Sequence, residues 1–129
     1  MIAAAIAGTP GFSMDTCELE RSGPSFAVDT VRSLRSHFPK AAFYYFIGED
    51  NLPALSTWKE IDVLQTLVQF VVLARGTVRD PCGCPVISRT IEISSTDIRN
   101  RIAQGLSVRY LLPEALCSII KSHQLYLND

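Results

Sequence analysis

The chain has no apolar run long enough to cross a bilayer, and runs such as Phe70 to Ala74 are far too short. A membrane-spanning helix needs roughly 20 such residues. It also has no excess of positive charge, because 12 Lys and Arg stand against 13 Asp and Glu, and this argues against a basic surface for nucleic acid or acidic lipid. Charged residues make up only 19% and hydrophobic residues 47%, which predicts a soluble globular chain rather than a disordered one.

Cysteine and histidine are scarce. With four cysteines and no mark of secretion, reduced thiols are expected. Cys82 and Cys84 flank Gly83 in a segment interpreted as a reactive turn, and no metal site is predicted because a structural zinc site needs four ligands. The two histidines, His37 and His123, fall near predicted helix ends, and neither is predicted to be catalytic.

Apolar runs alternate with helix-like segments over most of the chain. Strands are predicted at residues 12–19, 42–47, 70–74 and 86–93, the second of them buried on both faces. Ser25 is predicted to cap a helix that reaches about Phe38, Ser94 to cap another, and Pro113 to begin a last one. This alternation predicts a single α/β domain over residues 1–129 with a mainly parallel sheet.

In such sheets, ligands bind at the carboxyl ends of the strands, so the loops there carry the candidate sites. The strongest is Ser94 to Arg99. Hydroxyls of Ser95 and Thr96 at a helix N-terminus, with unpaired N–H groups and Arg99 one turn further on, favour phosphate binding. The alternative interpretation is an ordinary cap followed by a solvated arginine.

A second candidate follows the predicted strand at 42–47. Gly48 would let a ligand approach the backbone closely, and Asp50 could accept hydrogen bonds from ribose hydroxyls. Trp58, the only tryptophan, could stack on a flat ring, with Lys59 beside it. The alternatives are a turn with solvated carboxylates and a tryptophan that belongs to the core.

Together these segments resemble bacterial nicotinate-nucleotide adenylyltransferases, which belong to the nucleotidyltransferase superfamily. The similarity is carried by residues 20–30, 46–50, 58, 93–99 and 109–113, and it extends to the closing Leu125-Tyr126. The Ser-Ser-Thr-x-Ile-Arg element is shared across the superfamily. The Gly-Pro-Ser-aromatic segment, the Gly-x-Asp with a downstream Trp, and Tyr-Leu-Leu-Pro are more particular to this family.

The resemblance implies a Rossmann-like, mainly parallel sheet with flanking helices and a cytoplasmic transferase of NAD biosynthesis. Members of this family join nicotinate mononucleotide to the AMP part of ATP and release pyrophosphate. The implied partners are ATP and nicotinate mononucleotide, with Mg²⁺ accompanying ATP, and neither nucleic acid nor membrane is implied. By the same resemblance, Ser95, Thr96 and Arg99 would hold the ATP phosphates.

The resemblance also implies contacts to the mononucleotide. Gly48 and Asp50 would lie near the ribose, and Trp58 would stack on the nicotinate ring. Backbone N–H groups near Ala27 and Lys59 would face the nicotinate carboxylate. Two departures occur here, because the family usually has Thr at the position of Ala27 and an aromatic residue or His at that of Lys59.

The family's Gly-Thr-Phe-Asp-Pro-x-His-x-Gly-His loop has no counterpart in these residues, so no catalytic residue is predicted. Met1 corresponds in character to the helix after the family's first βαβ unit, and no side chain caps that helix start. We therefore expect a truncated chain that lacks the first βαβ unit and exposes a sheet edge. Three interpretations remain: an adenylyltransferase chain with the substrate half of the domain, a non-catalytic nucleotide-binding module, and an interaction protein that forms a homo-oligomer through that edge.

Overall fold

The computed structural model describes residues 1–76, 81–90 and 93–127. They form two compact units, and each is described by itself. The sheet unit is Thr16–Ile91, and the terminal unit combines Met1–Asp15 with Glu92–Asp129. Over the described ranges, no helix is both long enough and apolar enough to cross a membrane. The single domain over residues 1–129 stays a prediction.

The sheet unit contains a three-stranded parallel sheet in the order β1-β2-β3. Its elements are α2 (Cys17–Glu20), α3 (Ala27–His37), β1 (Tyr44–Gly48), a 3₁₀ helix (Glu49–Thr57), α4 (Ile61–Leu67), β2 (Gln69–Ala74) and β3 (Val86–Ser88). Parallel neighbours cannot be joined by a tight hairpin, so the 3₁₀ helix and α4 form the crossover from β1 to β2. The predicted α/β fold with a mainly parallel sheet is confirmed.

One face of this sheet forms the core of the unit. Tyr45 is paired with Phe70 and Ile47 with Val72, so these side chains share a face. The buried core residues are Val28, Val31, Ile47, Leu55, Leu64, Val68, Phe70 and Val72. They come from α3, the 3₁₀ helix, α4, the residue that follows α4 and the sheet, which means that the helices before β1 and within the crossover cover this face.

The other face of β1 differs from the prediction of a strand buried on both sides. The side chains of Tyr44 and Phe46 are 58% and 56% exposed. The prediction was wrong because the core of the unit lies on the opposite face of β1, and an apolar run does not reveal whether both of its faces meet a partner.

The strand predicted at residues 12–19 is also wrong. Residues 12–16 have no regular structure, and α2 follows them. Phe12 and Leu19 are 67% and 85% exposed. Alternation gives a strand only where a neighbouring strand accepts its hydrogen bonds, and none of the described strands pairs with this segment.

The cap of α3 lies one residue later than predicted. Phe26 holds the N-cap position and supplies no side-chain hydrogen bond. The Ser25 hydroxyl instead donates to the backbone carbonyl of Glu18, 3.2 Å away. The start of α3 is therefore left without the side-chain cap that most helices have.

The terminal unit contains α1 (Ile2–Ile6), α5 (Ser95–Ala103) and α6 (Glu114–Ser122). α1 ends before Gly8, whose φ of 75° suits a glycine at the end of a helix. The buried cluster of the terminal unit consists of Ile98, Ile102 and Ile120. The cap at Ser94 is confirmed, because its hydroxyl accepts a hydrogen bond from the Asp97 N–H at 3.0 Å.

The core of the sheet unit gives a testable difference between two neighbouring residues of α4. Leu64 has no exposed surface, whereas Val63 is 37% exposed. Leu64→Ala should lower the free energy of unfolding by about 2–5 kcal/mol through lost burial and a residual cavity, whereas Val63→Ala should change it by no more than about 0.5 kcal/mol. Urea unfolding followed by Trp58 fluorescence measures both, and equal losses would contradict this packing.

Candidate functional site

The first turn of α3 presents backbone N–H groups without a capping side chain. The N–H groups of Asp29 and Thr30 donate to the Phe26 carbonyl, at 3.0 and 3.2 Å. Ala27 and Val28 are the first two residues of α3, and their N–H groups donate no backbone hydrogen bond within the described ranges. Such N–H groups, at the positive end of the helix dipole, favour an anion.

Two ion pairs connect the middle of the crossover with α3. The Lys59 ammonium donates to Asp29 Oδ2 at 3.0 Å and lies 4.4 Å from the centre of the Phe26 ring. Arg32 donates to both carboxylate oxygens of Glu60, at 3.2 and 2.6 Å. Both ion pairs therefore join the segment that follows Trp58 to the first two turns of α3.

These contacts favour the charged forms of Asp29, Arg32 and Glu60. The hydrogen bond from Lys59 lowers the pKa of Asp29, and nearby Lys59, Arg21 and Arg32 charges act in the same direction. The hydrogen bond from Arg32 lowers the pKa of Glu60, and Glu60 in turn raises the pKa of Arg32. Because the Lys59 ammonium is already paired with a carboxylate, its backbone N–H is the simpler donor for a ligand.

Trp58 lies between the core and the solvent. Its ring contacts Tyr45 edge-on, with centroids 5.8 Å apart and planes 75° from parallel, and Phe70 at 6.3 Å and 73°. The backbone N–H of Trp58 donates to the Leu55 carbonyl at 3.1 Å. The side chain is only partly buried. The core interpretation thus describes part of the ring, and the exposed remainder is compatible with stacking.

The end of β1 brings Gly48 and Asp50 together. A Cβ at Gly48 would collide with Asp50 Oδ1, so the carboxylate fills the space that a side chain would need. Asp50 is exposed and accepts a hydrogen bond from the Asn51 amide at 3.4 Å. Glu49 Oε1 accepts from the Arg75 N–H, also at 3.4 Å, which links the carboxyl ends of β1 and β2.

The terminal unit holds the predicted phosphate residues on the first turn of α5. Ser94 caps this turn through the Asp97 N–H, whereas the N–H groups of Ser95 and Thr96 donate no backbone hydrogen bond in the described part of the chain. Both side chains are exposed, and Arg99 Nη2 lies 3.5 Å from Thr96 Oγ1. Two hydroxyls, two N–H groups and one guanidinium therefore share one helix end.

Two arginines of α5 have different surroundings. Arg101 donates through Nε and Nη2 to the Ser107 carbonyl, at 3.1 and 3.0 Å. It holds the segment after α5 and is thereby committed to a structural contact. Arg99 is exposed and has only the long contact to Thr96, which leaves its guanidinium available to an anion.

Neither histidine belongs to the candidate sites. His37 is the last residue of α3, with Nδ1 2.8 Å from the Ser33 carbonyl oxygen, and His123 follows α6 as its C-cap. The prediction that both lie near helix ends is confirmed. Among the residues with described positions, no three His, Cys, Asp or Glu side chains gather into a metal-binding group.

Comparison with known proteins identifies the family. Residues 1–101 match the cytidylyltransferase-like family. A probable nicotinate-nucleotide adenylyltransferase of Lactiplantibacillus plantarum is 42% identical over 129 residues, which cover 98% of this chain and 61% of that protein. One of Exiguobacterium sibiricum is 37% identical over 131 residues, covering 98% of this chain and 69% of the relative. The chain belongs to the nicotinate-nucleotide adenylyltransferase family.

A solved structure of this family agrees with the fold. Plasmodium falciparum nicotinic acid mononucleotide adenylyltransferase, complexed with APC, superposes with a TM-score of 0.63 at 18% identity, covering 81% of this chain and 60% of that one. The Rossmann-like character of the sheet is thereby confirmed. This adenylyltransferase-family chain spans about three fifths of the Lactiplantibacillus relative.

The contact between Lys59 and Asp29 was not predicted from the sequence of this adenylyltransferase-family chain. Asp29 and Arg32 are three residues apart on α3, with 3.6 Å between Oδ1 and Nη1, a spacing that indicates a local ion pair. No local signal joins Asp29 to Lys59, 30 residues away. The ligand roles of Ala27, Gly48 and the other site residues stay predictions.

The Lys59 contact gives a prediction on pH dependence. In Lys59→Met the pKa of Asp29 should rise toward its ordinary value of 3.8, because the hydrogen bond that lowers it is lost. A lowered carboxyl pKa stabilises the fold above pH 3.8 and loses this contribution as the pH falls through the lower folded value. Titration of the carboxyl carbon by NMR measures the shift. Lys40→Met is the control, and an unchanged Asp29 pKa in Lys59→Met would contradict the contact.

Proposed function

We propose that this chain binds ATP and nicotinate mononucleotide for adenylyl transfer in NAD biosynthesis. In this reaction a phosphate oxygen of the mononucleotide attacks the α-phosphorus of ATP, pyrophosphate leaves, and nicotinate adenine dinucleotide forms. The proposal is carried by the first turn of α5, where Ser95, Thr96 and Arg99 offer hydrogen-bond donors at one helix end. The names of the relatives supply the two substrates.

The first turn of α5 is suited to the ATP phosphates. The N–H groups and hydroxyls of Ser95 and Thr96 would hold phosphate oxygens at the positive end of the helix dipole. Arg99 would add charge-assisted hydrogen bonds from the same turn. Adenylyl transfer depends mainly on positioning and charge neutralisation, and these donors provide both without a covalent intermediate.

The sheet unit is suited to the mononucleotide. The N–H groups of Ala27 and Lys59 would donate to the nicotinate carboxylate, while Trp58 would stack on the pyridine ring. Gly48 and Asp50 would contact the ribose, and the exposed Asp50 carboxylate would accept hydrogen bonds from its hydroxyls. The replacement of the family's usual Thr by Ala27 leaves this arrangement intact, because the proposed donor is a backbone N–H.

Magnesium would reach the site with ATP. The described residues gather no cage of three or more His, Cys, Asp or Glu side chains. Mg²⁺ in nucleotide sites keeps several waters and is bound through substrate phosphates and one or two carboxylates. We therefore treat the magnesium complex of ATP as the substrate that the residues of α5 bind.

Binding without turnover is the second candidate function. Its supporting observation is that His37 and His123 end α3 and α6, so neither imidazole belongs to the residues proposed to bind ligand.

The third interpretation, an interaction protein, relies on the edge strand β1, whose Tyr44 and Phe46 are exposed. It predicts an oligomer that binds no nucleotide.

Pyrophosphate release tests the reaction. The purified chain, incubated with ATP, Mg²⁺ and nicotinate mononucleotide, should release pyrophosphate and form one dinucleotide for each pyrophosphate. Saturable binding of both substrates without release would replace catalysis by the binding-module function. Absence of binding by a folded sample would overturn the proposal.

Arg99→Ala separates phosphate recognition from folding. Loss of charge-assisted hydrogen bonds, each about 1.5–3 kcal/mol, should weaken ATP binding roughly tenfold to a hundredfold. Asn100→Ala, at the next and also exposed position of α5, should leave ATP affinity unchanged. Calorimetric titration with ATP measures both variants, and equal affinities would remove Arg99 from the phosphate site.

A further inference from the structure

A tight turn before β3 carries two thiols separated by one glycine. The Cys84 N–H donates to the Pro81 carbonyl at 2.9 Å, which closes a turn over Cys82 and Gly83. Both central residues have positive φ, 51° for Cys82 and 75° for Gly83. Glycine adopts this conformation freely, but a residue with a side chain does so rarely, so the hydrogen-bonded turn holds Cys82 in an uncommon backbone shape.

The turn keeps the two cysteines close. Two residue steps span at most about 7 Å when fully extended, and the bend shortens that span toward the Cα separation found in disulfides. Cys84 Sγ lies 3.9 Å from the Cys82 carbonyl oxygen, so the Cys84 side chain folds back over the turn rather than away from it.

The two thiols differ in their surroundings. The Cys82 side chain is exposed, whereas Cys84 is partly buried and packs against the core of the sheet unit. Burial raises the pKa of Cys84, and a charge on the neighbouring Cys82 raises it further. An external reagent therefore meets Cys82 first, while Cys84 is held beside it as the less exposed second thiol.

We propose that Cys82 and Cys84 form a redox-active dithiol that closes to a disulfide on reaction with a low-molecular-weight disulfide such as oxidised glutathione. The Cys82 thiolate attacks one sulfur of the reagent, forms a mixed disulfide and releases one thiol. Cys84 then loses its proton and attacks the Cys82 sulfur, which forms the intramolecular bond and releases the second thiol. The pair loses two electrons and two protons, and the reagent is reduced to two thiols.

This dithiol is independent of the proposed adenylyl transfer. The turn precedes β3, where the Pro85 carbonyl accepts the Val72 N–H at 2.8 Å. Neither cysteine belongs to the residues proposed to bind ATP or the mononucleotide. Failure of one proposal therefore leaves the other intact.

The test uses the wild-type chain, so it does not depend on a variant that folds. The folded protein is equilibrated with oxidised glutathione, quenched with acid, alkylated with N-ethylmaleimide and mapped by mass spectrometry. The peptide that contains both cysteines should lose two hydrogens and take up no N-ethylmaleimide. A glutathione adduct that persists on this peptide, a bond to another chain, or two thiols left for alkylation would overturn the proposal.

Two variants assign the roles of the cysteines. Cys84→Ser should trap glutathione on Cys82, because the second thiol is missing. Cys82→Ser should react more slowly, since the remaining thiol is partly buried. Circular dichroism confirms that each variant is folded, and equal reaction rates of the two variants would overturn the assignment of Cys82 as the first to react. Closure that is as complete in concentrated urea as in the folded chain would show that the turn contributes nothing.

Discussion

Parallel pairing of β1 with β2 is the constraint on which the sheet unit depends. The register runs from Tyr44 opposite Gln69 to Gly48 opposite Leu73, so the chain must return along the whole length of the sheet before β2 begins. The 3₁₀ helix and α4 make this return, and the buried Leu64 anchors it to the covered face. The crossover therefore begins with Asp50 beside the end of β1 and carries Trp58 on its way back.

The core positions these residues, and the surface charges orient them. Exposed ion pairs contribute little free energy, so Lys59 and Glu60 are held near α3 mainly because Trp58 and Leu64 pack into the same core. The pair of Lys59 with Asp29 fixes the direction of the ammonium. In the terminal unit, the Ser94 side chain caps α5 by accepting a hydrogen bond from the Asp97 N–H. The N–H groups of the two residues before Asp97 stay available to a ligand.

Features set by local sequence could be predicted, and features set by distant neighbours could not. The Ser94 cap depends on residues three apart, and β2 contains the apolar run from Phe70 to Ala74, so both were visible in the sequence. The exposed face of β1 depends on what lies beside it, and the segment at 12–19 alternates without gaining a partner strand. The contact of Lys59 with Asp29 joins residues 30 apart. The ligand role of Ala27, and the nicotinate ring as the partner of Trp58, came from resemblance alone.

In the proposed function, the sheet unit recognises the carboxylate of nicotinate mononucleotide through backbone N–H groups. The most direct measurement is an ¹⁵N NMR titration of the chain with nicotinate mononucleotide and, separately, with nicotinamide mononucleotide. The account predicts that the acid shifts the amide resonances of Ala27, Val28 and Lys59 strongly, and that the amide compound shifts them weakly at the same concentration. Equal shifts from both compounds would contradict it, and so would a titration with the acid in which these three amide resonances do not move.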